Sequence, residues 1–302
     1  MDRIDRLAIF CRVAETASFS RAADALGLPR STVSTAIQTL EAGLGVRLLH
    51  RTTRRVALTE DGAAFYDRCQ RLITDFDEID ALFHGEGQPQ GRLRVNVPGR
   101  IGRLVIAPAL PEFLARYPAL EVDMGVTDRP VDLVQEGLDC AIRVGVLADS
   151  GLVARRLGDL AFGNYASPAY LARHGVPQRP EDLGAHHAVR YASPQSGRAE
   201  QWEYVPADGV ARLVDVPARV TVNNAEAYIA CALAGVGLIQ IPVYDARAHV
   251  AAGELVEVMP DARAAPAPIS LVYSHRRHLS RRLQVFASWI DALFRRDGVT
   301  VT

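Results

Sequence analysis

"SFSRAADALGLPRSTVSTAIQTLEAGLG", Ser18 to Gly45, holds two short runs of helically spaced apolar residues parted by Gly27-Leu28-Pro29. Ser18 or Ser20 is placed to cap the first run, which reaches about Leu26. Gly27 is placed to end it in a left-handed turn. Arg30 or Ser31 opens the second run, through Val33, Ile37 and Leu40. If the two helices cross at Gly27–Pro29, then Phe19, Ala22, Ala23, Leu26, Leu28, Val33, Ala36 and Ile37 all face inward. Ala23 is small enough to let the helices approach closely. Arg30, Ser31, Ser34, Thr35 and Gln38 are left outside, although Ser and Thr are mediocre helix formers. Either this is the solvated face of a plain helical hairpin, or it touches something that needs short hydrogen-bonding side chains.

The second layout is that of a helix-turn-helix, whose second helix enters the major groove of DNA. Short hydroxyls and Gln reach base edges and phosphates without holding a helix away from the groove. Downstream, "VRLLHRTTRRVALT" has β-branched residues around a basic middle, which suits a two-stranded hairpin. "HRTTRR", His50 to Arg55, then puts three Arg at its tip, suited to phosphate or minor-groove contact. The charge distribution agrees. Met1 to Leu58 carries nine Arg against five acids, whereas Thr59 to Gly91 carries two Arg against eight. A basic head before an acidic segment points to nucleic acid at one end of a chain whose net charge is only −1. The chain contains no Lys, so any anion site uses Arg or backbone N–H groups.

Thr59 caps the longest periodic run, "TEDGAAFYDRCQRLITDFDEIDALF", with Glu60 and Asp61 in its first turn. Phe65, Cys69, Leu72, Phe76, Ile79 and Phe83 repeat at heptad spacing. The seam either packs on its own domain or pairs with the same helix of a second chain. "GEGQPQG", 85–91, is a polar linker. Beyond it, strand patterns ("RLRVNV", "LEVDMGV", "LDCAIRVG", "VRYA", "VTVNN", "LIQIP", "ISLVYS") alternate with helical ones ("RLVIAPALPEFLARY", "PVDLVQEG", "AEAYIACALAGVG", "SRRLQVFASWIDALF"). That grammar predicts a parallel α/β sheet in two blocks, the last strand and helix returning to the first.

At 302 residues and 49% hydrophobic content, the chain is long enough for two or three domains and is not disordered. Cys11, Cys69, Cys140 and Cys231 lack CxxC spacing, which disfavours zinc or a disulfide framework and fits a reducing cytosol. Neither a signal peptide nor an apolar run of membrane-spanning length is legible. His186-His187, His249, His275 and His278 fall in no HExxH or similar frame. A GxSxG, P-loop or GxGxxG after a strand is also missing.

Taken together, "FSRAADALGLPRSTVSTAIQTLEAGLGVRLLHRTTRRVALTEDG" resembles the winged helix-turn-helix of the LysR-type transcriptional regulators. Ala22-Ala23, Leu26, Ser31, Val33-Ser34, Ile37, Leu40-Glu41, Leu44-Gly45, Leu48-Leu49, Arg51-Thr52 and Leu58-Thr59 with Gly62 carry the likeness. Pro29-Arg30 and Thr35 depart from the family's pattern. "DCAIRVG", "GLVARRLG", "ASPAYLARHG" and "AGVGLIQIP" extend the likeness over nearly all the chain.

The resemblance implies an α+β multidomain protein. A winged helix-turn-helix at 1–58 and a linker helix at 59–84 would precede a hinge at 85–91. An effector domain at 92–298, similar to type 2 periplasmic binding proteins, would consist of two Rossmann-like subdomains, 92–162 plus 266–296 and 163–265. DNA contacts are then expected from Ser20, Arg30, Ser31, Thr32, Ser34, Thr35 and Gln38, and on the wing from Arg51, Thr52, Thr53, Arg54 and Arg55. The heptad seam would join subunits in a homodimer or homotetramer, and the assembly would contact RNA polymerase. No cofactor or metal is expected. A small carboxylate co-inducer would sit where strands meet helix N-termini. In the stretch Pro98, Gly99, Arg100 and Ile101, the last three would supply free N–H groups and Arg100 a bidentate guanidinium. Arg143 and Val144 end a strand, and Arg143 serves equally well in an interdomain salt bridge. Asn223 and Asn224, with Gln240 and Pro242, face from the other side, although an Asn there is also a helix cap. Tyr165 and Ser167 lie near the crossover. Two other readings are an α/β small-molecule-binding protein or enzyme with an accessory helical domain, and an architectural DNA binder, which needs no cleft.

Overall fold

The computed structural model describes residues 1–51, 56–84, 88–147, 151–194, 197–274 and 279–301, with backbone alone at 51, 71 and 74–84. The chain parts into two compact units, Met1–Gly87 and Gln88–Thr302.

In the first unit, α1 (Arg3–Thr16) opens with a reciprocal cap. The Asp5 N–H donates to the Asp2 carboxylate, and the Asp2 N–H donates to that of Asp5. Ser18, of the two candidate caps, accepts from the Arg21 N–H and starts α2 (Phe19–Leu26). Gly27 ends α2 at φ 64°, a conformation open to glycine at little cost. Pro29 then leads into α3 (Arg30–Leu44). Strands β1 (Leu49–Arg51) and β2 (Val56–Leu58) pair antiparallel, and α4 (Glu60–His84) follows. Phe10, Val13, Ala22, Val33, Ala36 and Ile37 are fully buried where α1, α2 and α3 cross.

The near end of α4 belongs to this core. The Phe65 ring lies 5.5 Å from Phe10, and Cys69, 3% exposed, shares a hydrogen bond with the Cys11 thiol. Phe65 and Cys69 are therefore corrected as subunit-contact residues, because α1 already covers them. Leu72 stays half-exposed at 50%. The side chains of Phe76, Ile79 and Phe83 lie outside the described residues.

The second unit begins with β3 (Gly91–Val97). A continuous helical stretch follows, from α5 (Gly99–Ile101) through a π-helical turn at Gly102–Ile106 into α6 (Ala107–Arg116). Then come β4 (Leu120–Val126), β5 (Cys140–Val144), β6 (Leu152–Leu160) and β7 (Phe162–Ala166). Next are α7 (Pro168–His174), β8 (Ala188–Tyr191), β9 (Trp202–Tyr204), β10 (Arg212–Val214) and β11 (Ala218–Val222). The chain closes with α8 (Ala225–Leu233), β12 (Ile239–Pro242), α9 (Val243–Ala251), β13 (Val256–Val258), β14 (Ala267–Ser274) and α10 (Arg281–Arg296).

Five strands form one sheet in the order β4-β3-β5-β14-β6. The first three run parallel, but β14 is antiparallel to both β5 and β6. The sheet is mixed rather than purely parallel, because β6 leaves toward the second group of strands and β14 returns from it. Antiparallel β12-β7-β13 and parallel β11-β8 make up that second group. An isolated parallel bridge, Ala188 to Leu238, links its two parts. Phe113, Phe286 and Trp289 pack the first sheet's core, with ring centroids 4.6 to 5.9 Å apart. "PVDLVQEG" is a turn, not the expected helix. Pro130 at its start and Gly137 at φ 63° at its end leave room for one turn, which the Asp132 carboxylate closes by accepting from the N–H groups of Val134 and Gln135.

Candidate functional site

On α3 the burial alternates as the apolar spacing requires. Val33, Ala36, Ile37 and Leu40 are buried, Arg30, Ser31, Thr35 and Gln38 are exposed, and Thr32 and Ser34 are half-buried between them. Ser20 is exposed on the first turn of α2. Pro29 offers no side-chain acceptor, so the first-turn N–H groups of α3 have no side-chain cap. Such a helix start is suited to a phosphate. The Glu41 carboxylate, a position singled out only through the resemblance, accepts from the N–H groups of Leu48 and Leu49 at 2.9 and 3.2 Å. It thereby ties the wing to α3. At the same foot of the wing, the Thr59 hydroxyl donates to the Arg47 carbonyl and accepts from the Gly62 N–H. The backbone of Arg51 pairs with Val56. Thr52, Thr53, Arg54 and Arg55 lie outside the described residues, as do His275 and His278.

In the second unit a cavity of about 660 Å³ lies beyond the carboxyl ends of β3 and β5. Pro98, Arg100, Ile101, Arg143, Val144, Gln240 and Pro242 line it. Five expected residues do not. The Gly99 N–H donates to the Asp128 carboxylate at 2.9 Å, so the chain's own acid occupies this helix start. Tyr165 sits on β7, central among β12-β7-β13, and is buried with Val189, Tyr228 and Ile239. Burial, with Glu257 adding, pushes its hydroxyl up to about 12. Ser167 is buried at the start of α7, away from the opening. Asn223 is exposed off the wall, and Asn224 caps α8 by accepting from the Ala227 N–H.

Arg100 lines the wall but is not a free carboxylate clamp. At 4% exposure it donates from Nε to Asp245, from Nη1 to Glu226 at 2.7 Å, and from Nη2 to the Asp245 carbonyl. Burial opposes its charge, and the two carboxylates outweigh that, raising its pKa above the usual range. Burial likewise raises the Asp245 carboxyl, against the pull of Arg100. Arg143 is different. Its Nη1 donates to Asn96 Oδ1 at 2.9 Å and to the Ile142 carbonyl, while its buried Nη2 has no protein partner among the described residues. Sequence reasoning missed Asp128, Tyr191, Glu200, Trp202, Tyr228 and Tyr244, which also line the cavity. Trp202 is one of only two Trp, and that rarity was the one available signal. Gln240 proves to be a brace. Its amide donates to Asn164 Oδ1 and the Glu203 carbonyl and accepts from the Glu203 N–H, holding β9 against the cavity.

A helix-turn-helix head and a separate unit with a ligand-sized cavity are the two parts of a DNA-binding regulator with an effector domain. Residues 4–63 match the bacterial regulatory helix-turn-helix protein, lysR family, and residues 86–295 match the LysR substrate binding domain. An HTH-type transcriptional regulator of Escherichia coli is 43% identical over 98% of this chain and 99% of its own. A transcriptional repressor of Pseudomonas aeruginosa is 39% identical over 97% and 93%. Among solved structures, CrgA, a LysR-type transcriptional regulator from Neisseria meningitidis, is 32% identical, covers 97% of this chain and 98% of its own, and superposes with a TM-score of 0.60. The chain belongs to the LysR family of DNA-binding transcriptional regulators. It is a regulator with an effector-binding domain, not an enzyme.

Proposed function

We propose that this protein binds a partly palindromic DNA site as a homodimer or homotetramer in the cytoplasm and changes transcription when a small carboxylate enters its cavity. The exposed row Arg30, Ser31, Thr35 and Gln38, back to back with a fully buried core row, carries the reading. Paired heads would set α3 in successive major grooves, with the wing on the flanking backbone. The effector domain would comprise 92–162 plus 266–296 and 163–265 as two subdomains. Ligand between them would shift the population between two arrangements of the heads, and so DNA bending and contact with RNA polymerase. Arg143 supports a carboxylate ligand, since its free donor stands on the cavity wall.

Replacing Arg51, Arg54 and Arg55 with Ala tests the DNA interface. Binding should weaken on all sequences, and the slope of log K against log salt should fall by about 0.9 per lost phosphate contact. An unchanged slope removes the wing from the interface. Gln38→Ala should instead relax preference at one base position, by roughly 1–3 kcal/mol. Identical footprints would show that Gln38 reads no base.

A further inference from the structure

Among the described residues, three guanidiniums and five carboxylates line the cavity. Most are already matched. Arg100 is held by Asp245 and Glu226, and Arg190 donates to Asp215 and to the Val216 carbonyl. Glu203 accepts from the Ala265 N–H, and one oxygen of Asp128 accepts from Gly99. One guanidinium donor and one carboxylate are left without a hydrogen-bond partner. Arg143 keeps a buried Nη2 without a partner, and the Glu200 carboxylate, exposed at the edge of the cavity, has no hydrogen bond or ion pair among the described residues.

The places of these groups follow from the sheet. Arg143 lies near the carboxyl end of β5, and its guanidinium leans onto Asn96 of the neighbouring β3. Asp128 follows β4 on the far side of β3, so about 10 Å, two strand spacings, separates the two backbones. The Glu200 N–H donates to the Tyr191 carbonyl at 2.8 Å, and burial, with Asp128 and Glu200 adding, pushes the Tyr191 hydroxyl up to about 12. The acid side of the cavity is therefore Asp128, Tyr191 and Glu200, and the basic side is Arg143.

We propose that the effector is an ampholyte, a small molecule whose carboxylate is held by Arg143 and whose protonated amine is held on the side of Glu200 and Asp128. The proposal rests on the carboxylate reading above and narrows it. A lone anion would satisfy Arg143 while meeting a wall that holds two more acids than guanidiniums. An ampholyte satisfies both the guanidinium and the Glu200 carboxylate. A ligand of opposite charge favours the charged form of both: burial lowers the Arg143 pKa, and desolvation together with Glu203 raises that of the exposed Glu200. Tyr191, Tyr228, Tyr244 and Trp202 supply aromatic faces for an ammonium or an apolar body. The volume of about 660 Å³ suits a molecule of this size.

The test uses the full chain and matched probes read by thermal shift and calorimetry. The probes are the twenty α-amino acids and 4-aminobutyrate, their deaminated acids (3-phenylpropanoate for phenylalanine) and their decarboxylated amines (2-phenylethylamine). At least one amino acid should bind, and its deaminated acid should bind at least about ten-fold more weakly, the equivalent of one lost charged contact. Glu200→Gln should cut that discrimination at least several-fold, with Asp128 left to hold what remains. Arg143→Gln should weaken the amino acid and the acid alike. Deaminated acids that bind as tightly as amino acids, or discrimination that Glu200→Gln leaves undiminished, would overturn the ampholyte and leave the carboxylate reading standing. Amines that bind alone would overturn both, and so would a complete absence of binding. The wild-type comparison needs no variant, so a misfolded Arg143→Gln cannot hide the result.

Discussion

Gly62 shows how closely one residue sets the wing. A Cβ built there would lie 1.9 Å from the Leu48 carbonyl oxygen, a backbone atom that cannot swing away. Gly62→Ala should therefore push α4 off the wing and destabilise the head by about 1–3 kcal/mol, the usual cost of overpacking. A chemical melt unchanged from wild type would refute this. Glu41 acts by acceptance rather than by space. Its carboxylate takes two N–H groups at the foot of the wing, from Leu48 and Leu49. Glu41→Ala leaves both donors without it, at about 1–3 kcal/mol, whereas Glu41→Gln keeps an acceptor oxygen and should lose less. Equal losses would mean that packing, not the hydrogen bonds, matters there.

Helix α4 divides its apolar seam between two uses. Phe65 and Cys69 are spent inside the head, while Leu72, one turn further, is half-exposed. A charge should therefore have opposite consequences at neighbouring seam positions. Cys69→Asp buries an unpaired carboxylate and should unfold the head. Leu72→Asp should leave the melting free energy within about 0.5 kcal/mol, as expected of a surface site. If the far seam joins subunits, Leu72→Asp and Phe76→Asp lower self-association in sedimentation runs. An unchanged profile for both would rule that out.

Across the second unit, the buried pair Arg100–Asp245 joins α5, which packs with the first sheet, to α9 among the second group of strands. Glu226 on α8 adds an exposed partner to the same guanidinium. The two acids should not be equivalent. Removing one member of a buried pair strands the other and costs about 3–5 kcal/mol. An exposed ion pair contributes about 0–1 kcal/mol. Asp245→Asn should thus lower the melting temperature of this unit markedly and Glu226→Gln barely. Equal shifts would show that burial does not decide the strength of the link. The same link explains why Arg100, expected at the ligand, is committed to holding the walls of the cavity in place.

The sequence by itself determined the helix-turn-helix, the cap at Gly27, the hairpin, the long α4 and the strand–helix alternation. Each rests on local signals: apolar period, capping residues, turn glycines and runs of β-branched residues. It also determined the inward and outward rows of α3, since a helix shows its faces in its spacing. Which partner each functional side chain meets was decided only by the tertiary structure. Arg100 and Arg143 both lie where strand chemistry favours an anion, yet one meets Asp245, 145 residues away, and the other keeps a free donor. Tyr165 went into the core, and Gly99 met Asp128. Trp202 and Glu200 reach the cavity from a region without periodic signal. Period and propensity are local properties of the chain, whereas the pairing of charges across a cavity depends on long-range contacts that no spacing in the sequence encodes.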